Sequence, residues 1–367
     1  MVFKVLFFNL ISICKYIIIL FNDQPLDCYR DIIRARKDIS VIVIGLTRST
    51  ILGFNCISPP MVCPNVNITF WLYTRENEDK PHQLQVVDSN SIKTAPWVPD
   101  APIKVLIHGY TGHKDFSPNT EIRPAYMKCC NFNIISVDYS PLAREECYIE
   151  AARNTELVGI CTAQLIDQLV QRHGFDLSRF HIIGFSLGGQ AAGFIGGYVT
   201  SGKLNRLTGL DPAMPLFVTF NKNRKLDKGD AKFVDVLHTN ALNKGKLEAS
   251  GHVDFYANGG ITQPGCKDTD EQSKSSCNHA RAPQYYAESI ITDVGFYGTN
   301  CYSWISYMIG LCGLFQSTDE VIYGEYVPKN ARGLYFFSTN SESPYAQGSN
   351  QKSGRKCLNN FKQVIKR

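Results

Sequence analysis

Through the middle of the chain, apolar positions come in short, nearly unbroken runs separated by longer stretches of helical periodicity. Residues 103–107 (IKVLI), 133–138 (NIISVD), 180–183 (FHII) and 207–210 read as strands. Residues 68–73 (ITFWLY) are rich in β-formers and read as another, and residues 333–338 (GLYFFS) as the last. Between them, residues 149–173 place Leu157, Ile160, Cys161, Leu165 and Leu169 on one helical face. Residues 187–198 are rich in small side chains, which suits a helix packed closely on a sheet. Strands that are apolar throughout and alternate with helices predict an α/β domain, its largely parallel sheet covered on both faces. Past Asp211 the pattern predicts strands and cysteine-bounded loops. The apolar run at 41–46 is ambiguous.

One strand-to-helix junction carries chemistry. Gly184-Phe185-Ser186-Leu187-Gly188 matches G-x-S-x-G, with an apolar strand before it and a helix after it. A nucleophilic serine on a tight turn needs small neighbours, and the amides that open the following helix favour a developing oxyanion. The Leu187 N–H is one candidate oxyanion donor. Tyr110, in the turn after the 103–107 strand, offers the second, and His108 reads as packing that turn. An acid and then a histidine should follow in sequence. Asp211 sits at the carboxyl end of the next strand, where α/β folds collect their sites, with Asp227, Asp230 and Asp235 as alternatives. His238 and His252 fall in strand-like runs and read as satisfied core residues. His279 reads as a loop residue past a small cysteine-bounded segment, and loops carry bases more often than strand interiors do. Spacing alone leaves the acid and the base open.

Composition narrows the class. The 367 residues are 44% hydrophobic and 19% charged, with a net charge of +5. That is an ordinary globular balance, and no basic run interleaved with aromatics suggests nucleic acid as a partner. Thirteen cysteines without a CxxC pair predict structural disulfides and an oxidising compartment. Lys4 followed by an apolar stretch within residues 1–21 predicts a signal peptide over 1–22, although Lys15 interrupts the run; an uncleaved anchor is the alternative. The expected domain is 23–348, followed by a basic tail at 349–367. Asn67-Ile68-Thr69 is a glycosylation sequon, which agrees with secretion.

In order along the chain, HGY at His108, NIISVDYS at Asn133, GFSLGGQAAGF at Gly184, TGLDPAMP at Thr208, DAKFVDVLHT at Asp230, GHVDFYANGGITQPGC at Gly251 and CNHARAPQYYAES at Cys277 resemble the pancreatic lipase family. They are most similar to its small secreted insect lipases and phospholipases A1. The resemblance implies an α/β-hydrolase fold and the triad Ser186, Asp211 and His279. It makes Tyr110 and Leu187 the oxyanion donors and Cys266–Cys277 the closure of a lid. Only ten residues would lie in that lid, and the loop between Thr239 and Gly251 is also short. Both features resemble the phospholipase A1 members more than the triacylglycerol lipases. Cys301 with Cys312 matches another family disulfide, and Cys147 with Cys161 is expected as a third pair. Phe185 stands where His is common and is expected to face away from the chemistry. Asp227 and Asp230 match part of a structural calcium site, but Lys222 replaces an acid there, so no metal or cofactor is expected. The chain ends soon after Tyr345, which implies no C-terminal β-sandwich and no colipase partner. The expected function is extracellular hydrolysis of lipid esters at a membrane or lipid-droplet interface, with phospholipase A1-type release of fatty acid from phospholipid as the preferred reading. A neutral glyceride lipase and a non-catalytic yolk-type lipid-binding protein are the alternatives.

Overall fold

A computed structural model describes residues 55–312 and 319–349. The expected leader at 1–22, the 41–46 run and the tail from residue 350 lie outside the described residues. The strands are β1 (Thr69–Tyr73), β2 (His82–Leu84), β3 (Ile103–Ile107), β4 (Asn133–Asp138), β5 (Phe180–Phe185), β6 (Arg206–Leu210), β7 (Phe233–His238), β8 (Val253–Ala257), β9 (Tyr297–Cys301), β10 (Glu320–Ile322) and β11 (Gly333–Phe337). They form one sheet in the order β10-β9-β11-β8-β7-β6-β5-β3-β4-β1-β2. The seven strands from β11 to β4 are parallel, and antiparallel strands finish both edges.

The helices are α1 (Ser89–Lys93), α2 (Asn119–Cys129), α3 (Tyr148–His173), α4 (Leu187–Tyr198), α5 (Glu271–Ile291) and α6 (Trp304–Met308). The apolar stripe of α3 packs with α4 on one face of the sheet, over Val105, Ile107 and Ile182. On the other face α2 and α5 cover Leu106, Ile183, Phe185 and Leu210. Alternate strand residues therefore enter opposite cores, which is why the strands read as continuous apolar runs rather than alternating ones.

Two expectations are corrected. Cys147 pairs with Cys56, and Cys161 with Cys63. A Cys147–Cys161 bridge is excluded because α3 runs unbroken between them, and a helical rise of 1.5 Å per residue separates them by about 20 Å. The Cys266–Cys277 and Cys301–Cys312 bridges are present as expected. The second correction concerns α5. Where a loop just past the cysteine-bounded segment was expected to carry His279, a helix of 21 residues does. Its first half is polar and it contains Pro283, so propensity argues against it. Burial of Ala282, Tyr285, Tyr286 and Ile290 against the sheet overrides that preference. Asp270 caps its start, accepting from the Ser273 amide at 2.8 Å.

Candidate active site

Strand register brings the candidate residues to one edge. Ile107 pairs with Gly184, Phe185 with Leu210, and Leu210 with Leu237, so these strands end level with one another. His108, Ser186, Asp211 and Thr239 therefore emerge together at the carboxyl rim. Ser186 occupies the turn between β5 and α4 with φ 57 and ψ −120, a conformation strained for a residue with a side chain. The turn is held by the Ser186 amide donating to Leu210 O at 3.0 Å, and by Ser186 O accepting from the Gly189 and Ala213 amides. The glycines of the pentad are sterically required. A Cβ on Gly184 would strike the Gly188 carbonyl, and one on Gly188 would strike the Ile107 and His108 carbonyls.

Asp211 is fully buried. Its Oδ1 accepts from the amides of Thr239 at 2.9 Å and Asn240 at 3.1 Å, and its Oδ2 accepts from His279 Nδ1 at 2.5 Å. Two fixed amides thus aim the carboxylate at the ring. With Nδ1–H donating to it, the imidazole presents Nε2 as a base. Among the described residues, no hydrogen bond joins Ser186 Oγ to that ring. Bonds of this kind commonly tighten only when substrate fills the site.

Phe185 does not face away: its ring lies 4.6 Å from the His279 ring, centroid to centroid. The side chain preceding the serine points to the sheet face that α5 covers, so it meets the imidazole and helps to fix its position. Neither the Leu187 nor the Tyr110 amide is bonded to an acceptor among the described residues. Both border the serine: Leu187 follows it, and a Cβ on Gly109 would approach Ser186 Oγ to 3.4 Å. Two open N–H groups beside a hydroxyl suit an anionic oxygen.

Of the other histidines singled out in the sequence, His108 and His238 are structural, as expected. His108 Nδ1 bonds Gly109 O at 2.8 Å, its Nε2 accepts from the Tyr139 amide at 3.1 Å, and its ring stacks on Tyr139. His238 joins Lys246 O and Asp254. His252, which precedes β8 and is only half-buried, accepts from the Val234 amide. Asp235 pairs with Arg206 far from the rim. Asp227 and Asp230 cap each other's short helical turn, with the Lys222 ammonium 4.0 Å from Asp227. That donor set does not fit a divalent cation. Sequence reasoning missed Asn240 and Gln263. Asn240 Oδ1 accepts from Ser275 on α5, and Gln263 ties Thr239 O and Ala257 O to the Asn278 side chain. Asn240 lies two residues past the end of β7 and Gln263 six past the end of β8, and no motif marks either.

A strained serine opening a helix at the carboxyl rim of a mostly parallel sheet, with a carboxylate-bonded imidazole over its neighbour, defines an α/β hydrolase. The Lipase family profile matches residues 55–345, and the chain belongs to that family. It is 32% identical to pancreatic lipase-related protein 3 of Homo sapiens, covering 88% of this chain and 71% of that protein. Pancreatic triacylglycerol lipase of Myocastor coypus is 33% identical over 67% of this chain and 58% of its own length; that of Cavia porcellus is 35% identical over 67% and 57%. The chain thus spans little more than half the length of these two lipases. Among solved structures, an alpha/beta hydrolase enzyme from a Medee basin deep-sea metagenome library has a TM-score of 0.29 at 15% identity, covering 50% of this chain and 68% of that one. A Bacillus licheniformis lipase has 0.26 at 14%, covering 39% and 67%. Both likenesses are too slight to bear on function.

Proposed function

We propose that the protein is a secreted lipid ester hydrolase of the phospholipase A1 type. Ser186 Oγ attacks the ester carbonyl as His279 Nε2 takes its proton, and Asp211 stabilises the resulting imidazolium. The Tyr110 and Leu187 amides hold the tetrahedral oxyanion. His279 returns the proton to the departing glycerol oxygen, then activates the water that releases the fatty acid.

Lipid as substrate is supported by apolar side chains on the connections that leave the rim. Phe116 follows β3, Leu216, Val218 and Phe220 follow β6, and Leu242 follows β7; all are exposed, Phe220 to 96%. Phospholipid is supported by the Cys266–Cys277 segment. Six of its ten enclosed residues are the first turns of α5, and the ten (KDTDEQSKSS) include no apolar side chain. Such a segment offers no apolar cover for a third acyl chain. The names of the relatives favour triacylglycerol instead. Fatty-acid release from a position-labelled phospholipid beside a triglyceride decides between them. Preferential sn-1 release from phospholipid is expected; release from triglyceride alone contradicts the reading.

Secretion is supported by the disulfides, which form in oxidising compartments. No helix of the described residues is long and apolar enough to cross a membrane.

A further inference from the structure

The short loop between Thr239 and Gly251 carries a lysine whose surroundings differ from those of the other sequestered lysines. Lys104, Lys225 and Lys246 are buried, and each bonds a carboxylate: Glu325 for the first and Glu248 for the other two. That is the usual condition for a desolvated ammonium. Lys244 is half-buried, yet among the described residues its ammonium meets only a hydroxyl, Ser276 Oγ, at 2.6 Å. Ser276 in turn donates to Gln272 O. Two of the three ammonium donors remain open. Burial pushes the Lys244 pKa down, and Asp211 pulls it back up.

The backbone that carries this ammonium is held from two sides. The Lys244 carbonyl accepts from the Met214 amide at 2.8 Å, and its own amide donates to Asn240 Oδ1 at 3.2 Å. The next residue, Gly245, lies so close to the Asp211 carboxylate that a Cβ would overlap it. Across the gap, Ser276 stands one turn of α5 before His279, and residues so spaced lie about 5–6 Å apart at Cβ. The ammonium is therefore anchored on the turn of α5 that precedes His279.

Direction matters as much as distance. In the mechanism above, His279 returns its proton to the leaving oxygen, so the glycerol side of the scissile ester lies toward His279. The phosphorus of a glycerophospholipid stands one glycerol backbone, six bonds, beyond the sn-1 carbonyl carbon, at most about 7.5 Å away when extended. A neutral triglyceride would place an acyl chain there instead.

We infer that Lys244 is the headgroup contact, donating to a phosphodiester oxygen of a glycerophospholipid whose sn-1 ester lies at Ser186, and so selecting phospholipid over neutral glyceride. The inference rests on the phospholipase reading. A charged donor to a phosphate oxygen is the stronger kind of hydrogen bond.

The test compares the native protein with Lys244→Met, Lys244→Gln and Lys244→Arg. Substrates are a short-chain phosphatidylcholine below its micellar concentration, tributyrin, and p-nitrophenyl butyrate. In Lys244→Met and Lys244→Gln the ratio of phosphatidylcholine to p-nitrophenyl butyrate kcat/KM should fall about tenfold or more, mainly through KM. Lys244→Arg should restore most of it. Glycerophosphocholine should inhibit p-nitrophenyl butyrate hydrolysis by the native protein more strongly than by Lys244→Gln. A native protein that cleaves phosphatidylcholine, with the ratio unchanged in the variants or both rates falling together, overturns the role of Lys244 alone. A native protein that cleaves tributyrin but not phosphatidylcholine overturns the phospholipase reading and this contact with it.

Discussion

At the amino ends of the central strands, charged side chains close on one another. Lys104 of β3 bonds Glu325 at 2.6 Å and His181 of β5 at 3.1 Å. Arg206 of β6 grips Asp235 of β7 at 2.8 and 3.0 Å, while Tyr126 and Tyr286 both donate to Glu325. At the carboxyl ends of the same strands the polar groups stay open among the described residues: a serine hydroxyl, the imidazole Nε2, two amides without acceptors and a lysine that meets only a hydroxyl. One end has its fields satisfied inside the protein, and the other presents them to a visitor. Changes at the first should be read in stability, and changes at the second in rate.

Ser186→Ala should separate the two most sharply. Activity should fall on the order of 10⁶-fold while the melting temperature stays near native, checked by ester hydrolysis and thermal unfolding. Asp211→Asn should cost about 10⁴-fold in kcat, because an amide facing Nδ1 favours the wrong tautomer. At the opposite end the readout reverses. Burial works against the Glu325 carboxylate, yet Lys104 and Arg206 hold its pKa below the usual range. Glu325→Gln leaves the Lys104 ammonium buried without its anion and should cost about 3–5 kcal/mol, measured by denaturant unfolding with the disulfides intact. The kcat of the folded fraction should hold.

The smallest expected effect depends on pH. Asp230 precedes β7 at the same end, and burial pushes its pKa up to about 7, opposed by the hydrogen bond from the Asp227 amide and aided by the Asp227 charge. The folded state therefore holds this proton more tightly than the unfolded chain, whose carboxyl titrates near 3.9. The stabilisation is complete below about pH 4 and is lost as pH rises through about 7. Asp230→Asn keeps an acceptor for the Asp227 amide and cannot ionise. Its advantage in melting temperature over the native protein should grow from about pH 4 to pH 7 and level off above that.

The closed end was hardly legible in the sequence, whereas much of the open end was. Lys104 and His181 sit inside apolar runs, and nothing local says that Glu325, more than a hundred residues away, lies between them. The pentad around Ser186 was legible because the constraint is local: two glycines must pass carbonyls in a turn that strand and helix define. Asp211 was legible by its place at a strand end. The helix around His279 was not, because tertiary burial of Tyr285, Tyr286 and Ile290 stabilises a segment whose own composition is polar. The Cys147–Cys161 expectation failed for a related reason, since proximity in sequence on a continuous helix is separation in space.

The account depends on Ser186 being the activated nucleophile of the open rim. Labelling with a fluorophosphonate, followed by mass spectrometry of the digested chain, tests this directly. One adduct per chain on the Ser186 peptide, absent in Ser186→Ala, is the predicted result. A folded native protein that takes up no label, or takes it up elsewhere and keeps it in Ser186→Ala, would contradict the account.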